Sequence, residues 1–225
     1  MKMIVGKVVV LGNQGVGKTS TCMTYVEKHF NHQTLPTIGA AFYSTKINVA
    51  DKMVNLHIWD TAGQERFKAM APMFYRNSQA AIVIFDITSE DSFESMKGWV
   101  LELKRNVEES IILVVVGNKI DLAEQREVSR DEALGYSKTI GAHYYEVSAK
   151  TDQGIELVFE YVAMELVKAN SKNTPKANRS YNSDDINNIM AFSSELEPTD
   201  TANEELVNIS INHIAHGDSV SPICC

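Results

Sequence analysis

The residues from Gly12 to Thr19 have types and a spacing that suit the binding of a phosphate chain. They match the pattern G-x-x-x-x-G-K-[ST] and stand between a valine-rich run and a predicted helix. The glycines let successive backbone N–H groups point into one concavity, the helix N-terminus adds a positive dipole, and Lys18 can reach the β and γ phosphates. The hydroxyl of Thr19 can ligate Mg²⁺. The predicted phosphate-binding residues are Gly12, Gln14, Gly15, Val16, Gly17, Lys18, Thr19 and Ser20.

A second set of polar residues can select the base. The phosphate loop alone does not distinguish an ATPase, a nucleotide kinase and a GTPase, but 118–121 (N-K-I-D) follows an apolar run whose carboxyl end should lie beside the loop. A buried Asp121 carboxylate can accept hydrogen bonds from N1–H and the exocyclic amine of guanine. Adenine has no such pair of donors, and each mismatched buried polar group costs about 1 to 3 kcal/mol. The backbone N–H of Ala149 can donate to guanine O6. The predicted base-reading residues are Asn118, Lys119, Asp121, Ser148, Ala149 and Lys150.

The elements that must hold these residues alternate along the chain up to about residue 170. Apolar runs predict strands over 4–11, 53–59, 80–86, 111–117 and 143–147, and amphipathic runs predict helices near 17–28, 65–75, 91–109, 130–140 and 154–168. The run 41–50 is followed at once by the strand 53–59, a spacing too short for a crossover helix, so these two should form an antiparallel edge hairpin. We predict an α/β fold with a six-stranded, mostly parallel sheet and helices on both faces.

Further motifs give residues 1–170, about three quarters of the chain, a resemblance to a known family. Residues 59–67 (W-D-T-A-G-Q-E-R-F) and 36–39 (P-T-I-G) resemble the second and first switch segments of the Rab family of small GTPases, in the Ras superfamily. Residues 38–42 (I-G-A-A-F) and 70–76 (M-A-P-M-F-Y-R) look like its early-endosomal branch. The resemblance implies the P-loop small GTPase fold, with 1–170 as the GTP-binding domain.

The resemblance also implies roles for single residues. Thr37 would ligate Mg²⁺ and sense the γ-phosphate, Asp60 would hold a metal-bound water, and the Gly63 N–H would meet the γ-phosphate. Gln64 would orient the attacking water. Contacts with the nucleotide are implied for Pro36 and for Phe30, which would stack on the base edge. The implied catalytic residues are Gln64, Lys18 and Thr37, and the implied metal ligands are Thr19, Thr37 and Asp60.

The implied reaction is in-line attack of water on the γ-phosphoryl group of GTP, with the protein supplying position and charge neutralisation. We expect slow turnover alone, because no arginine is obviously placed in cis, and an activating protein that provides one would add roughly 10³ to 10⁵ in rate. Many superfamily members have glycine where this chain has Gln14, and we hypothesise that its side chain crowds the attacking water. Two alternatives stay open: a non-hydrolysing GTP-dependent scaffold whose turnover Gln14 blocks, and an ATP-using kinase or transporter ATPase.

Three aromatic residues, Phe42, Trp59 and Phe74, resemble the triad that Rab effectors recognise, although plain core packing would also explain them. Loss of the γ-phosphate contacts at Thr37 and Gly63 would loosen this surface, so nucleotide state would set partner affinity. The resemblance implies bound GTP or GDP with Mg²⁺. It also implies a guanine-nucleotide exchange factor, a GTPase-activating protein, a dissociation inhibitor or escort protein, a prenyltransferase and effector proteins.

The segment 171–225 lacks the alternating pattern and is predicted to be a disordered acidic tail. It holds three basic and eight acidic residues, a net charge of −5 out of −8 for the chain. It ends in Cys224 and Cys225, which resemble the Rab double-cysteine prenylation site, although two incidental cysteines are the alternative. Two lipid chains give stable membrane anchoring. Because the tail is acidic, we expect membrane binding to depend weakly on salt.

Charge and hydropathy argue against several classes of protein. A net charge of −8 without a basic stripe removes the main driving force for nucleic-acid binding. The longest apolar runs have six residues, far short of the roughly 18 that span a bilayer, and the N-terminus lacks a secretory-signal pattern. Three cysteines do not suit a disulfide framework. We expect a cytosolic pool and attachment to the cytoplasmic face of intracellular membranes, endosomal by the resemblance.

Overall fold

A computed structural model describes residues 3–33, 35–64, 71–107 and 111–172. They lie in the compact unit 1–180, and the predicted tail from residue 173, with Cys224 and Cys225, lies outside the described residues. The strands and helices in chain order are β1 (Met3–Gly12), α1 (Lys18–Glu27), β2 (Ala40–Val49), β3 (Lys52–Thr61), α2 (Ala71–Tyr75), β4 (Ala80–Asp86), α3 (Glu90–Asn106), β5 (Ile112–Asn118), a 3-10 helix (Ile120–Gln125), α4 (Arg130–Thr139), β6 (His143–Glu146) and α5 (Ile155–Lys172).

The six strands form one sheet in the order β2-β3-β1-β4-β5-β6. The β2–β3 pair is antiparallel and the other four pairs are parallel, which confirms the predicted mostly parallel sheet with one antiparallel edge hairpin. The central strand β4 is buried along its whole length, as continuous apolar runs in parallel sheets usually are. The carboxyl ends of β1, β3, β4, β5 and β6 therefore meet at one edge of the sheet, where the predicted site residues follow them.

Helices cover both faces of the sheet, as predicted. On one face α1 and α5 contact each other and share a core cluster with β1, β3, β4 and β5, in which Tyr25 stacks on Phe159 with ring centroids 3.9 Å apart. On the other face α3 packs on β4 and β1, and Phe93 lies 4.9 Å from Phe85. Among the described residues no helix is both long and apolar enough to cross a bilayer.

The structure corrects several predicted boundaries. Helix α3 begins at Glu90, where Ser89 accepts a hydrogen bond from the Ser92 N–H, and it ends at Asn106 because Val107 is extended, so the predicted end at 109 was wrong. The predicted helix 65–75 is described only as Ala71–Tyr75, and 65–70 lies outside the described residues. Helix α5 continues to Lys172. The 3-10 helix was not predicted, and it carries Asp121.

Candidate nucleotide-binding site

The phosphate loop is held in place by close packing around two glycines. Gly17 has φ of 93° and begins α1, and a Cβ there would lie 2.3 Å from Asn118 Nδ2. Gly12 has φ of 143°, and a Cβ there would lie 2.2 Å from the Ile84 carbonyl oxygen. Because side chains other than glycine are strained at these angles and would collide here, the motif glycines are required by both backbone angle and space.

Lys18 is buried at the base of the loop. Its side chain donates a hydrogen bond from Nζ to the Asn13 carbonyl oxygen at 2.8 Å, and the residue is 6% exposed. Burial lowers the pKa of Lys18 to about 8, while the negative charge of Asp60 acts in the opposite direction. The ammonium group is therefore a cation with little water around it, which strengthens its attraction for a phosphate.

Three side chains predicted to bind a metal meet in this structure. The Thr19 hydroxyl donates to Asp60 Oδ2 at 2.6 Å and lies 2.7 Å from the Thr37 hydroxyl. Asp60 is fully buried, and its Oδ1 has no hydrogen-bond partner among the described residues. Burial raises the pKa of Asp60 to about 6, and the Thr19 hydrogen bond and the charge of Lys18 oppose this shift.

These three residues fit a magnesium site of the kind that nucleotides complete. Their ligating atoms are oxygens, which Mg²⁺ prefers, and Mg²⁺ usually keeps several waters and binds substrate phosphates instead of a full protein cage. Consistent with that chemistry, the described residues contain no group of three or more His, Cys, Asp or Glu side chains that could hold a metal ion. The orphaned Asp60 Oδ1 is an acceptor suited to a metal-bound water.

The residues implied in catalysis line one cleft of about 190 Å³. Gly63 enters it directly against the phosphate loop, because a Cβ at Gly63 would lie 2.3 Å from Lys18 Nζ and 2.6 Å from the Asn13 carbonyl oxygen. Leu35, which the sequence analysis missed, also lines the cleft beside Pro36. The lining residues are Gln14, Gly15, Gly17, Lys18, Thr19, Ser20, Leu35, Pro36, Thr37, Gly63 and Gln64.

At the base-reading end, Asn118 links three segments of the chain. Its Nδ2 donates to the Val16 carbonyl oxygen at 2.8 Å, and its Oδ1 accepts from the Ala149 N–H at 3.1 Å. Asn118 is 1% exposed. The Ala149 carbonyl oxygen in turn accepts from the Thr24 hydroxyl at 3.0 Å. One buried amide therefore joins the phosphate loop, the end of β5 and the loop after β6.

Asp121 lies beside this linkage. Its Oδ1 accepts a hydrogen bond from the Ser148 hydroxyl at 2.6 Å, its Oδ2 lies 4.0 Å from Lys150 Nζ, and its side chain is 15% exposed. Lys119 has a left-handed backbone with φ of 71°, and its Nζ lies 2.6 Å from Asp86 Oδ2. The two base-reading loops are thus joined, while the charge of Lys119 is neutralised at the end of β4.

Phe30 does not line the cleft. It packs against the core cluster on α1 and α5, and its ring meets His32 edge-on at 4.9 Å. Its implied stacking on the base edge stays a prediction.

The three aromatic residues of the implied effector surface touch one another. Trp59 lies 5.2 Å from Phe42 and 6.1 Å from Phe74, measured between ring centroids. Trp59 and Phe74 are 5% and 2% exposed, whereas Phe42 is only partly buried. Packing therefore accounts for most of the surface of Trp59 and Phe74, and Phe42 is the member that presents its ring.

Comparison with known proteins gives one family. The model of the Ras family matches residues 7–168. The chain is 50% identical over 153 residues to the Ras-related protein Rab-21 of Homo sapiens, covering 68% of each chain. It is 46% identical over 164 residues to Rab-21 of Geodia cydonium, covering 73% of this chain and 72% of that one. It is 44% identical over 160 residues to Rab-31 of Rattus norvegicus, covering 71% of this chain and 82% of that one.

Proposed function

This chain belongs to the Ras family and, within it, to the Rab small GTPases of the early-endosomal branch, which bind guanine nucleotides and hydrolyse GTP in membrane traffic, and on that premise we propose how its residues carry the activity. The phosphate chain lies on the loop 12–19, with Lys18 Nζ turned from the Asn13 carbonyl to the phosphates. Thr19, Thr37 and, through a water, Asp60 hold Mg²⁺, which neutralises the charge on the phosphates. The cluster of these three oxygen donors around one buried, unpartnered carboxylate oxygen carries the proposal.

Hydrolysis in this proposal depends on position and charge. Gln64 orients a water in line with the γ-phosphorus, the Gly63 N–H donates to a γ-phosphate oxygen, and Lys18 balances the charge that develops. The described residues that line the cleft include no arginine, so an activating protein supplies one in trans. The non-hydrolysing scaffold is not favoured, because the similar proteins are Rab GTPases.

The proposed output of the site is partner affinity. Thr37 precedes β2 and Gly63 follows β3, so the two contacts with the γ-phosphate sit at the two ends of the hairpin that presents Phe42 and Trp59. Binding of GTP would hold both ends, and hydrolysis would release them. An exchange factor, an activating protein, a dissociation inhibitor or escort protein and effectors are the partners that this cycle requires.

Membrane attachment is the second half of the proposal. Residues 1–170 act as the GTP-binding domain and 171–225 as a tether that a prenyltransferase modifies at Cys224 and Cys225. Two lipid chains would hold the protein stably on the cytoplasmic face of endosomal membranes.

Calorimetry on the pure, magnesium-loaded full chain tests the nucleotide proposal. We expect tight binding of GDP and GTP and much weaker binding of ATP. Asp121→Asn should weaken guanine-nucleotide binding roughly 10- to 100-fold, because the amide mismatches guanine's donors at about 1 to 3 kcal/mol per contact. The matched control is Asp131→Asn in the exposed first turn of α4, which should leave binding unchanged. Equal affinity for ATP and GTP would contradict the proposal.

A further inference from the structure

One part of the sheet has an uncovered face at the end away from the nucleotide cleft. Its members lie in three rows across β1, β3 and β2, because Met3 pairs with Met53, Val5 with Asn55 and Lys46 with Asn55, while His57 pairs with Ser44. We call these residues the open sheet face. They are Met3, Val5, Ser44, Lys46, Asn48, Met53, Asn55 and His57.

The direction of these side chains follows from the alternation of the strands. The intervening residues Ile4, Val54 and Leu56 point into the core cluster that α1 and α5 cover, and they are at most 6% exposed. The open sheet face is therefore on the opposite side, where Met3 and Val5 are 49% and 44% exposed. Large apolar side chains on a sheet are normally covered by a second layer.

The described helices on this side stop short of the open sheet face. Lys7 Nζ donates to the Arg76 carbonyl oxygen at 2.7 Å just beyond the end of α2, and it lies 5.5 Å from the centroid of the Trp59 ring. Lys7 is 5% exposed, so cover from α2 extends to the row of Lys7. Two residues earlier, Val5 is already exposed.

The polar residues of the open sheet face satisfy one another. The Ser44 hydroxyl donates to Asn55 Oδ1 at 3.1 Å, and Asn55 Nδ2 lies 3.1 Å from His57 Nε2. The His57 ring meets Phe42 edge-on at 5.5 Å. A partner could therefore cover this strip without leaving those groups unpaired, which would otherwise be the main cost of burying them.

The charge of the open sheet face is opposite to that of the chain. The net charge of the chain is −8, yet none of the eight residues is acidic and Lys46 is exposed. No hydrogen bond or ion pair joins Lys46 to another of the residues that the structure describes. A carboxylate on a partner could pair with it.

We propose that the open sheet face docks one amphipathic, acidic α-helix of a partner protein. Three strands span about 10 Å between their axes, close to the diameter of about 10 to 12 Å of a helix with its side chains. From Met53 to Trp59 the strand rises about 20 Å, which a helix of about 13 residues matches. Apolar side chains of that helix cover Met3, Val5 and Met53, and an Asp or Glu pairs with Lys46.

The docking surface is continuous with the aromatic residues Phe42 and Trp59, which occupy the next row but one beyond Asn55 on β2 and β3. The inference rests on the proposed function only in treating those aromatic residues as a partner surface. None of the eight residues lines the nucleotide cleft, so this docking should be the same with GDP and with a GTP analogue bound.

Methyl NMR of the full chain tests the inference directly. The chain has nine methionines, and [¹³C-methyl]methionine labelling gives reporters at Met3 and Met53, assigned with Met3→Leu and Met53→Leu. The probe is a synthetic 14-residue helix with a leucine stripe flanked by glutamates, and the matched probe carries lysines in their place. We expect the glutamate peptide to shift the Met3 and Met53 signals, and the lysine peptide to bind at least about tenfold more weakly because like charges repel across the interface.

A charge reversal gives the control. Lys46→Glu changes an exposed side chain, so the fold should hold, and the peptide preference should reverse. Lys138→Glu, on exposed α4, should leave the preference unchanged. Absence of Met3 and Met53 shifts, equal binding of both peptides, or an unchanged preference in Lys46→Glu would overturn the inference.

Two further outcomes are distinct. Shifts of the Met3 and Met53 signals that depend on protein concentration without peptide would overturn it in favour of a second copy of the chain. Binding of GDP measured on the same sample separates a failure of this inference from a failure of the proposed nucleotide function.

Discussion

The two ends of the nucleotide cleft are built differently. At the base-reading end, Asn118 bonds to Val16 and Ala149, and Asp121 bonds to Ser148, so protein groups satisfy one another. At the phosphate end, the Thr19 hydroxyl bonds to Thr37 and Asp60, and Asp60 Oδ1 has no partner among the described residues. The base-reading end is a fixed frame, whereas the phosphate end holds bonds that a nucleotide and its cation would replace.

This difference separates affinity from switching. A neutral hydrogen bond contributes only about 0.5 to 1.5 kcal/mol net, so the bond between Thr19 and Thr37 can be exchanged for metal coordination at small cost. The bonds of Asn118 are buried and link segments that are 31 and 102 residues apart, so breaking them exposes unsatisfied backbone groups. We therefore expect changes at the base-reading end to affect both nucleotide states alike, and changes at the phosphate end to affect hydrolysis selectively.

Asn118→Ala should have the largest effect. It leaves the Val16 carbonyl and the Ala149 N–H without their partner, which should lower the free energy of unfolding by about 2 to 4 kcal/mol. Because the same linkage positions both loops, affinity for GDP and GTP should fall by the same factor. Denaturant unfolding and calorimetry with each nucleotide measure the two effects.

Asn106→Ala is the matched control for that substitution. Asn106 Nδ2 also donates to a backbone carbonyl, that of Glu102, but at the exposed end of α3. Loss of that bond should change stability by no more than about 0.5 kcal/mol. If Asn118→Ala weakened GTP binding and left GDP binding intact, the base-reading end would not be the state-independent frame described above.

Gln64→Leu should act on the phosphate end alone. Removing the amide that orients the attacking water should lower the single-turnover rate of GTP hydrolysis by about 10²-fold, the scale of a misplaced reacting group. Affinity for GDP and GTP should stay within about twofold, because the base-reading contacts and Lys18 are untouched. Gln125→Leu, at the exposed end of the 3-10 helix, is the control and should hydrolyse GTP at the original rate. An unchanged rate in Gln64→Leu would assign the water to another group.

The sequence predicted the fold and the contents of the site because both depend on local patterns. The phosphate loop is a contiguous motif, and the apolar and amphipathic runs alternate as a mostly parallel sheet requires. The hairpin followed from the short spacing between 41–50 and 53–59. The end of α3 was missed because the segment after Asn106 has neither glycine nor proline, the usual stop signals.

What the sequence could not predict are contacts between distant segments. The ion pair of Lys119 with Asp86 depends on the register that sets Asp86 beside Asn118 on neighbouring strands. The bond from Thr24 to the Ala149 carbonyl joins residues 125 positions apart. The 3-10 helix after Lys119 was missed because six residues show no helical periodicity.

Gln14→Gly should have the smallest effect and tests whether the phosphate end restrains its own turnover. Gln14 is exposed and lines the same cleft as Gln64, so its side chain can occupy space near the attacking water. Its removal should raise the single-turnover rate by about two- to tenfold, since only the placement of that water changes. Gln14→Ala removes the amide without adding a second flexible residue beside Gly15, so a rise in both variants assigns the effect to the side chain. Equal rates in the original chain and both variants would remove Gln14 from the account of hydrolysis.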